Sequence, residues 1–279
     1  MKICFLTFVC PRYDVDRMAS LARSIGVDGV EIRVELGHAH NISSLTPPKE
    51  RRRIRKIFED EGIEVASVAT SVELGSPEKD VSEFMIESGR ANTLLARDLG
   101  AKILRVFLSQ QPGVTVEQPP NVPGQSYDHS KVKVLGMTDN IINRCASDLN
   151  ELGEFAKNYD VIPAIEEGHP FNAKWLKLIM ERSETANKGI VWNRSDITQN
   201  EFEYIGNYIK HIHVHNDVIE PENDSIFHTL KKMKSIGYDG YISMEFEEYP
   251  EPDPDTGNIP RHVLKEVTAR IRRFIEEVD

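Results

Sequence analysis

Cysteine is scarce in this chain. Its 279 residues include only Cys4, Cys10 and Cys145, and no two of them form a C-x-x-C pair. Three unpatterned cysteines do not make a disulfide framework. Proteins of reducing compartments typically use cysteine this way, so we expect a cytoplasmic protein.

Long apolar runs and excess positive charge are missing as well. No stretch of 18 apolar residues is present, so we expect no membrane span. The segment MKICFLTFVCPRYD has a short apolar run soon followed by charge, which predicts a first strand rather than a signal peptide. The 34 lysines and arginines face 45 acidic residues, a net charge of −11. An acidic surface repels phosphate backbones, so nucleic acid is disfavoured as a partner.

A pattern recurs along the chain: a charged amphipathic stretch, a turn that often contains glycine, then a short apolar run. Examples are RSIGVDGVEIRV, ARDLGAKILRVFL and KSIGYDGYISMEF. Glycine after a helical stretch marks a helix end because it tolerates a left-handed backbone. The apolar runs have the length and composition of strands. They predict eight strands, near residues 2–8, 28–34, 63–69, 102–108, 161–166, 189–193, 209–215 and 240–246.

Eight alternating strand and helix units predict an α/β fold with one domain over residues 1–279, a parallel (β/α)8 TIM barrel. A doubly wound sheet would need a glycine-rich turn after the first strand, and TFVCPRYD contains no glycine. After the fourth strand we expect a long loop, at about 109–136. It either covers the barrel mouth or reaches a neighbouring subunit of a homo-oligomer.

Strand alternation predicts which side chains enter the barrel. The outer face meets helices and must be apolar, while alternate residues point inward. In the seventh strand, HIHVH, Ile212 and Val214 face outward, so the three histidines between and beside them face the lumen. The same reasoning applied to the other strands gives an inward set: Glu31, Arg33, Glu35, Arg105, Glu166, Asn193, His211, His213, His215, Ser243, Glu245 and Glu247.

Strands five to eight each end in an inward polar group: Glu166, Asn193, His213 and Glu245. Barrel enzymes carry their catalytic residues at these C-terminal strand ends. Any one such residue alone is more often structural, but four adjacent strands give the same signal. Two carboxylates and an imidazole in a narrow lumen are costly to desolvate unless a cation binds them. Oxygen ligands with one histidine suit Mn²⁺, Mg²⁺ or Co²⁺, and Zn²⁺ is compatible.

The segments GYDGYISMEFE, IKHIHVHND and AIEEGHP give the chain a resemblance to a known family over nearly its whole length. They are similar to the patterns GYxGxIxxE, IxHxHxKD and LExHP of the xylose isomerase-like barrels, the sugar phosphate isomerases and epimerases. The resemblance implies one divalent metal ion held from strands five to eight, with His213 and Glu245 at two ligand positions. On strand five, alternation selects Glu166, whereas the spacing to His169 selects Glu167.

The sixth strand departs from the family pattern WDxxH. Here WNRSD places Asn193 at the aspartate position and Asp196 at the histidine position. An amide oxygen can coordinate a cation but brings no charge. Three interpretations stay open: Asn193 is a weak ligand, Asp196 replaces it, or the site is degenerate. In the seventh strand, His215 and Asn216 stand at the family's lysine and aspartate.

The resemblance implies an isomerase or epimerase of a sugar or related polyhydroxy carbonyl compound, by proton transfer through a metal-stabilised enediolate. Glu166 and Glu245 would be the catalytic acid and base. Substrate-binding residues are predicted at Asp196, His215, Arg105 and His169. For Arg105 and Arg33, ion pairs with Glu31 or Glu35 are the structural alternative.

Three other functions are weighed against this one. A metal-dependent dehydratase or lyase of a keto-polyol or cyclic keto acid would use the same chemistry on a substrate with a β leaving group. An abasic-site endonuclease is disfavoured because the third and fourth strands end in ASVATSVE and RVFLS, without extra histidines. A non-catalytic barrel is the interpretation that Asn193 keeps open.

Overall fold

The structure, a computed structural model, describes residues 1–118, 131–168, 171–220, 222–246 and 248–278. Its strands are β1 (Lys2–Leu6), β2 (Gly29–Arg33), β3 (Glu64–Leu74), β4 (Ile103–Leu108), β5 (Thr115–Glu117), β6 (Lys133–Leu135), β7 (Ile162–Glu166), β8 (Gly189–Trp192), β9 (Ile209–Val214) and β10 (Tyr241–Met244). All except β5 and β6 pair in parallel and close into a barrel, in which β10 returns to β1. The predicted (β/α)8 fold is confirmed.

Helices follow the barrel strands within the described residues: α1 (Val15–Ile25), α2 (Pro48–Asp60), α3 (Lys79–Leu99), α4 (Asp139–Lys157), α5 (Ala173–Arg182), α6 (Gln199–Ile205), α7 (Ser225–Ser235) and α8 (Arg261–Val278). The glycine signal for helix ends is confirmed at α1 and α3, where Gly26 and Gly100 have φ values of 82° and 87°. Among the helices of the described part of the chain, none is long and apolar enough to cross a membrane.

The barrel wall has an apolar outer face. Ile212 and Val214 of β9 and Ile242 and Met244 of β10 are fully buried in the main hydrophobic core, between strands and helices. Ile103, Ala164 and Val191 form a separate small cluster. Each lies two residues before an inward polar side chain of its own strand, so this cluster forms part of the floor beneath those groups.

The interval after β4 contains regular structure that the sequence prediction lacked. β5 and β6 pair antiparallel, with Thr115 opposite Leu135 and Glu117 opposite Lys133. The stretches VTVE and KVKVL alternate β-branched or apolar residues with polar ones, the signature of an exposed strand. Residues 119–130, which lie between them in the sequence, are outside the described residues.

Candidate active site

His213 of β9 lies at the centre of the inward polar groups. Its Nδ1 is 2.7 Å from Glu245 Oε2, 3.4 Å from Glu166 Oε2 and 3.2 Å from Asn193 Oδ1. These oxygens come from the C-terminal ends of β10, β7 and β8, where parallel strands of a barrel converge. The structure thus brings the four predicted metal-site residues around one nitrogen atom.

The donor atoms fit a divalent ion. One ligand atom each from Glu166, His213 and Glu245 lies within 4.8 Å of the others. Glu166 Oε2 and Glu245 Oε2 are buried, and neither accepts a hydrogen bond of regular geometry within the described residues. A buried carboxylate oxygen in this state is costly, and a cation between the two would satisfy both. The nitrogen and oxygen donors match the predicted set of metals.

Glu31 of β2 contacts the His213 imidazole at Nε2, the nitrogen that faces away from the site. Its Oε2 lies 3.0 Å from His213 Nε2 and 2.9 Å from His211 Nε2, and all three side chains are fully buried. An Nε2–H that donates to Glu31 orients the ring so that Nδ1 points to the site, as in carboxylate–histidine–metal triads. Strand alternation places Glu31 inside, but it does not reveal these partners.

The two carboxyl groups of the site have opposite pKa shifts. Burial raises the pKa of Glu166 to about 7, although Arg105 and His213 oppose it. Burial would also raise the pKa of Glu245, but the adjacent His213 outweighs it and lowers that pKa. At neutral pH one carboxyl therefore holds a proton more readily than the other. Such a separation suits one acid and one base.

The two inward arginines do not form the ion pairs with Glu31 or Glu35 that are the structural alternative to substrate binding. Arg105 Nε lies 3.1 Å from Glu166 Oε2, and its guanidinium stacks on the Phe107 ring at 4.2 Å. Among the described residues, the Arg33 guanidinium donates to uncharged groups, namely Val34 O, Ala69 O and Ser71 Oγ. Arg105 is thus a neighbour of the site that holds Glu166 in place.

The inward direction expected for Glu35 is wrong. β2 ends at Arg33, and Glu35 has a left-handed backbone with a φ of 63°. Its exposed side chain accepts hydrogen bonds from the backbone N–H and the hydroxyl of Ser44. Strand alternation ends where the strand ends, so it does not predict the direction of a residue two positions later.

Of the two candidate glutamates on β7, Glu166 faces His213. Glu167 turns away and pairs with Arg194 at 3.3 Å. The charge of Asp196 acts on that same pair. No contact between the Asp196 carboxylate and the cluster around His213 is found in the described part of the chain.

His215 lies at the mouth of the site with its side chain 35% exposed. Its Nε2 is 2.9 Å from Asn193 Oδ1 and 3.1 Å from Asn193 O. This contact orients the amide oxygen, which also faces His213. His169, the remaining predicted substrate-binding residue, lies outside the described residues, as does Glu247.

A cavity of about 830 Å³ opens at this end of the barrel. Phe8, His38, Asn216 and Tyr249 contribute to its wall, and they follow the C-terminal ends of β1, β2, β9 and β10. The volume is within the range of small-molecule sites.

Solved structures with the same fold include several named as sugar epimerases. An L-ribulose 3-epimerase is 18% identical, with 99% of this chain and 95% of that chain covered and a TM-score of 0.74. A D-psicose 3-epimerase from Clostridium cellulolyticum H10, determined with D-tagatose, is 14% identical, with 100% and 99% covered and a TM-score of 0.74. The IOLI protein with a binding zinc atom is 16% identical, with 100% and 99% covered and a TM-score of 0.71.

No curated protein sequence matches the chain. The family model described as the xylose isomerase-like TIM barrel matches residues 19–267. That match spans most of the barrel, including all the strands that carry the site. The chain therefore belongs to the xylose isomerase-like TIM barrel family.

Proposed function

We propose that the protein is a divalent-metal-dependent isomerase or epimerase of a sugar or related polyhydroxy carbonyl compound. The observation that carries the proposal is the placement of Glu166 Oε2 and Glu245 Oε2 at 3.4 Å and 2.7 Å from one nitrogen of His213. The names of the structural neighbours, L-ribulose 3-epimerase and D-psicose 3-epimerase, support the same chemistry.

Glu166, Asn193, His213 and Glu245 would hold the ion, which we propose to be Mn²⁺, Mg²⁺, Co²⁺ or Zn²⁺. When bound, such an ion polarises a carbonyl oxygen and stabilises the negative charge that develops as a neighbouring proton leaves. A zinc atom is named for the IOLI protein, which has the same fold. Glu166 Oε2 and Glu245 Oε2, both buried and without a hydrogen bond of regular geometry among the described residues, support a cation in this chain independently.

The chain itself would move the proton. Glu166 and Glu245 approach the site from different strands, so one can remove a proton from carbon and the other can return one. Their opposite pKa shifts support a division into acid and base. Arg105 keeps Glu166 in position through their 3.1 Å contact. We propose that Arg105 and His215 contact the substrate, since Arg105 lies beside Glu166 and His215 lies near Glu245.

Proton exchange with solvent tests this function before the substrate is known. The protein would be stripped of metal, reloaded with Mn²⁺ and incubated in D₂O with a panel of ketohexoses and other keto-polyols. We expect metal-dependent deuterium incorporation beside a carbonyl, detected by NMR, together with an epimer or isomer. Loss of water would indicate the lyase instead. Absence of exchange in metal-loaded protein with every compound would refute the proposal.

Metal analysis separates this enzyme from a non-catalytic barrel. We expect one tightly bound divalent ion per chain after purification without chelator, and a higher unfolding temperature on reloading, because an ion that binds only the folded state stabilises it. A protein that takes up no divalent ion would contradict the proposal.

A further inference from the structure

Among the described residues, the charges in the lumen do not balance once a divalent ion is bound; Glu247 lies outside this count. Three described carboxylates lie there, those of Glu31, Glu166 and Glu245. The ion and the guanidinium groups of Arg33 and Arg105 bring four positive charges against three negative ones, with the imidazoles counted as neutral. A carboxylate at position 193 would make the sums equal. Asn193 leaves one positive charge over.

Within the part of the chain that the structure describes, Arg33 is the lumen cation that lacks a negatively charged partner. It is 6% exposed, and its Nη1 and Nη2 donate to Val34 O, Ala69 O and Ser71 Oγ at 2.9, 3.3 and 2.6 Å. All three acceptors are uncharged, and no carboxylate among the described residues pairs with this guanidinium. Burial, and then the charge of Arg105, lower the pKa of Arg33 to about 10. A buried, unpaired guanidinium is costly unless a ligand brings an anion.

The position of Arg33 indicates that a ligand at the metal site can supply this anion. Arg33 ends β2 and lies two residues nearer the mouth than Glu31, on the same face of the strand. The charges of Glu166 and Glu245 act on it from beyond ion-pair distance. Its three hydrogen bonds within the described residues use three of its five N–H groups, so two remain for an acceptor.

We propose that the substrate is a polyhydroxy keto acid whose carboxylate pairs with Arg33 while its carbonyl lies at the metal site. This inference rests on the proposed function and names its substrate class. A carboxylate carries the single charge that the lumen lacks, and its geometry matches the planar guanidinium. A phosphate monoester brings nearly two charges and would leave the second one unbalanced.

Calorimetric binding to the Mn²⁺-loaded protein tests the proposal with three probes of one carbon skeleton. D-fructose carries a hydroxymethyl group at C1, 2-keto-D-gluconate a carboxylate and D-fructose 1-phosphate a phosphate ester. We expect 2-keto-D-gluconate to bind at least about tenfold more tightly than D-fructose, the gain of a charge-assisted hydrogen bond. Arg33→Gln should remove most of this preference, and Asn193→Asp should reduce it by restoring the missing negative charge.

Arg53→Gln is the matched control, because it changes the net charge equally on the exposed face of α2, where Arg53 pairs with Glu50. It should leave the preference unchanged. If Arg33→Gln does not fold, Arg33→Lys replaces it, because lysine keeps the charge and loses the planar guanidinium. This variant should weaken the binding of 2-keto-D-gluconate alone. Stronger binding of D-fructose, or a preference that survives these variants, overturns the inference. Preferential binding of D-fructose 1-phosphate would refute the assignment of a carboxylate as the charged group of the substrate. A failure of Mn²⁺ to bind overturns the proposed function as well, which separates the two failures.

Discussion

The two faces of β9 are equally buried and chemically opposite. Ile212 and Val214 on one face and His211 and His213 on the other are all 0% exposed. The aliphatic pair lies in the continuous core beneath the helices. The imidazole pair shares a single carboxylate oxygen of Glu31, and His211 Nδ1 has no hydrogen-bond partner in the described part of the chain.

This difference separates stability from function within one strand. Burial of the outer face stabilises the fold in proportion to the apolar area removed from water, whatever its neighbours are. Burial of the inner face is favourable only if each polar atom finds a partner. Within the described residues, several inner atoms lack a hydrogen bond of regular geometry, and the two carboxylates proposed to be catalytic have only ion-pair contacts there, chiefly with Arg105 and His213. These atoms are Glu31 Oε1, Glu166 Oε2, His211 Nδ1, Ser243 Oγ and Glu245 Oε2. Their concentration on one face indicates that the lumen is built around something that binds there.

The largest effect should come from a substitution on the inner face of the barrel, and it should be on catalysis. We expect Glu245→Gln to reduce solvent proton exchange into the substrate by about 10²–10⁴-fold, because an amide cannot act as the acid or base. Far-UV circular dichroism should be unchanged, since the volume is preserved. Glu203→Gln, the same change on the exposed surface of α6, is the control and should keep full activity. Full activity of Glu245→Gln would remove this residue from the mechanism.

A substitution on the outer face should lower stability and leave metal binding unchanged. Ile212→Ala creates a cavity under the helices and should lower the free energy of unfolding by about 2–5 kcal/mol, the usual range for such a truncation. Its affinity for Mn²⁺, measured in native buffer, should stay within about threefold of the unaltered protein, since no ligand is touched. A parallel loss of metal affinity would show that the two faces are coupled.

Substitution of Glu31, which contacts the ligand His213, should have a smaller effect, a loss of metal affinity. Glu31→Gln replaces an oxygen that faces two imidazole nitrogens, and it should weaken Mn²⁺ affinity by about 10–100-fold, as for other partners of ligating histidines. Competition with a chelator measures this without an activity assay. Glu35→Gln is the matched control, because Glu35 follows the same strand but lies in solvent against Ser44. Equal affinities of the two variants would contradict a positioning role for Glu31.

Strand alternation accounts for what the sequence predicts well. The apolar residues of β9 and β10 must face the helices, and this alone places His213 and Glu245 inside. Alternation also selects correctly between the two glutamates at the end of β7, since Glu166 faces His213 while Glu167 pairs with Arg194. These residues lie within or next to regular strands, where direction depends on position alone.

Contacts between side chains of different strands are less accessible from sequence, whether the strands are neighbours, as β4 and β7 are, or lie across the lumen. Arg105 pairs with Glu166 across β4 and β7, and Glu31 meets His213 across the lumen, because barrel closure and strand stagger set which residues share a level. The direction of Glu35 depends on a positive φ that the alternating pattern does not contain. These are the points at which the expected partners and the observed ones differ.

The smallest effect concerns the departure from the family pattern on β8. We expect Asn193→Asp to tighten Mn²⁺ binding by about tenfold, because affinity rises with the charge of the ligand set. Asp196→Asn removes a charge three residues away and should leave affinity unchanged, since Asp196 lies beside Glu167 and Arg194. Chelator competition on both variants decides between the two residues. A loss of affinity in Asp196→Asn, with none gained in Asn193→Asp, would identify Asp196 rather than Asn193 as the metal ligand. The end of β8 would then have to rearrange when the ion binds.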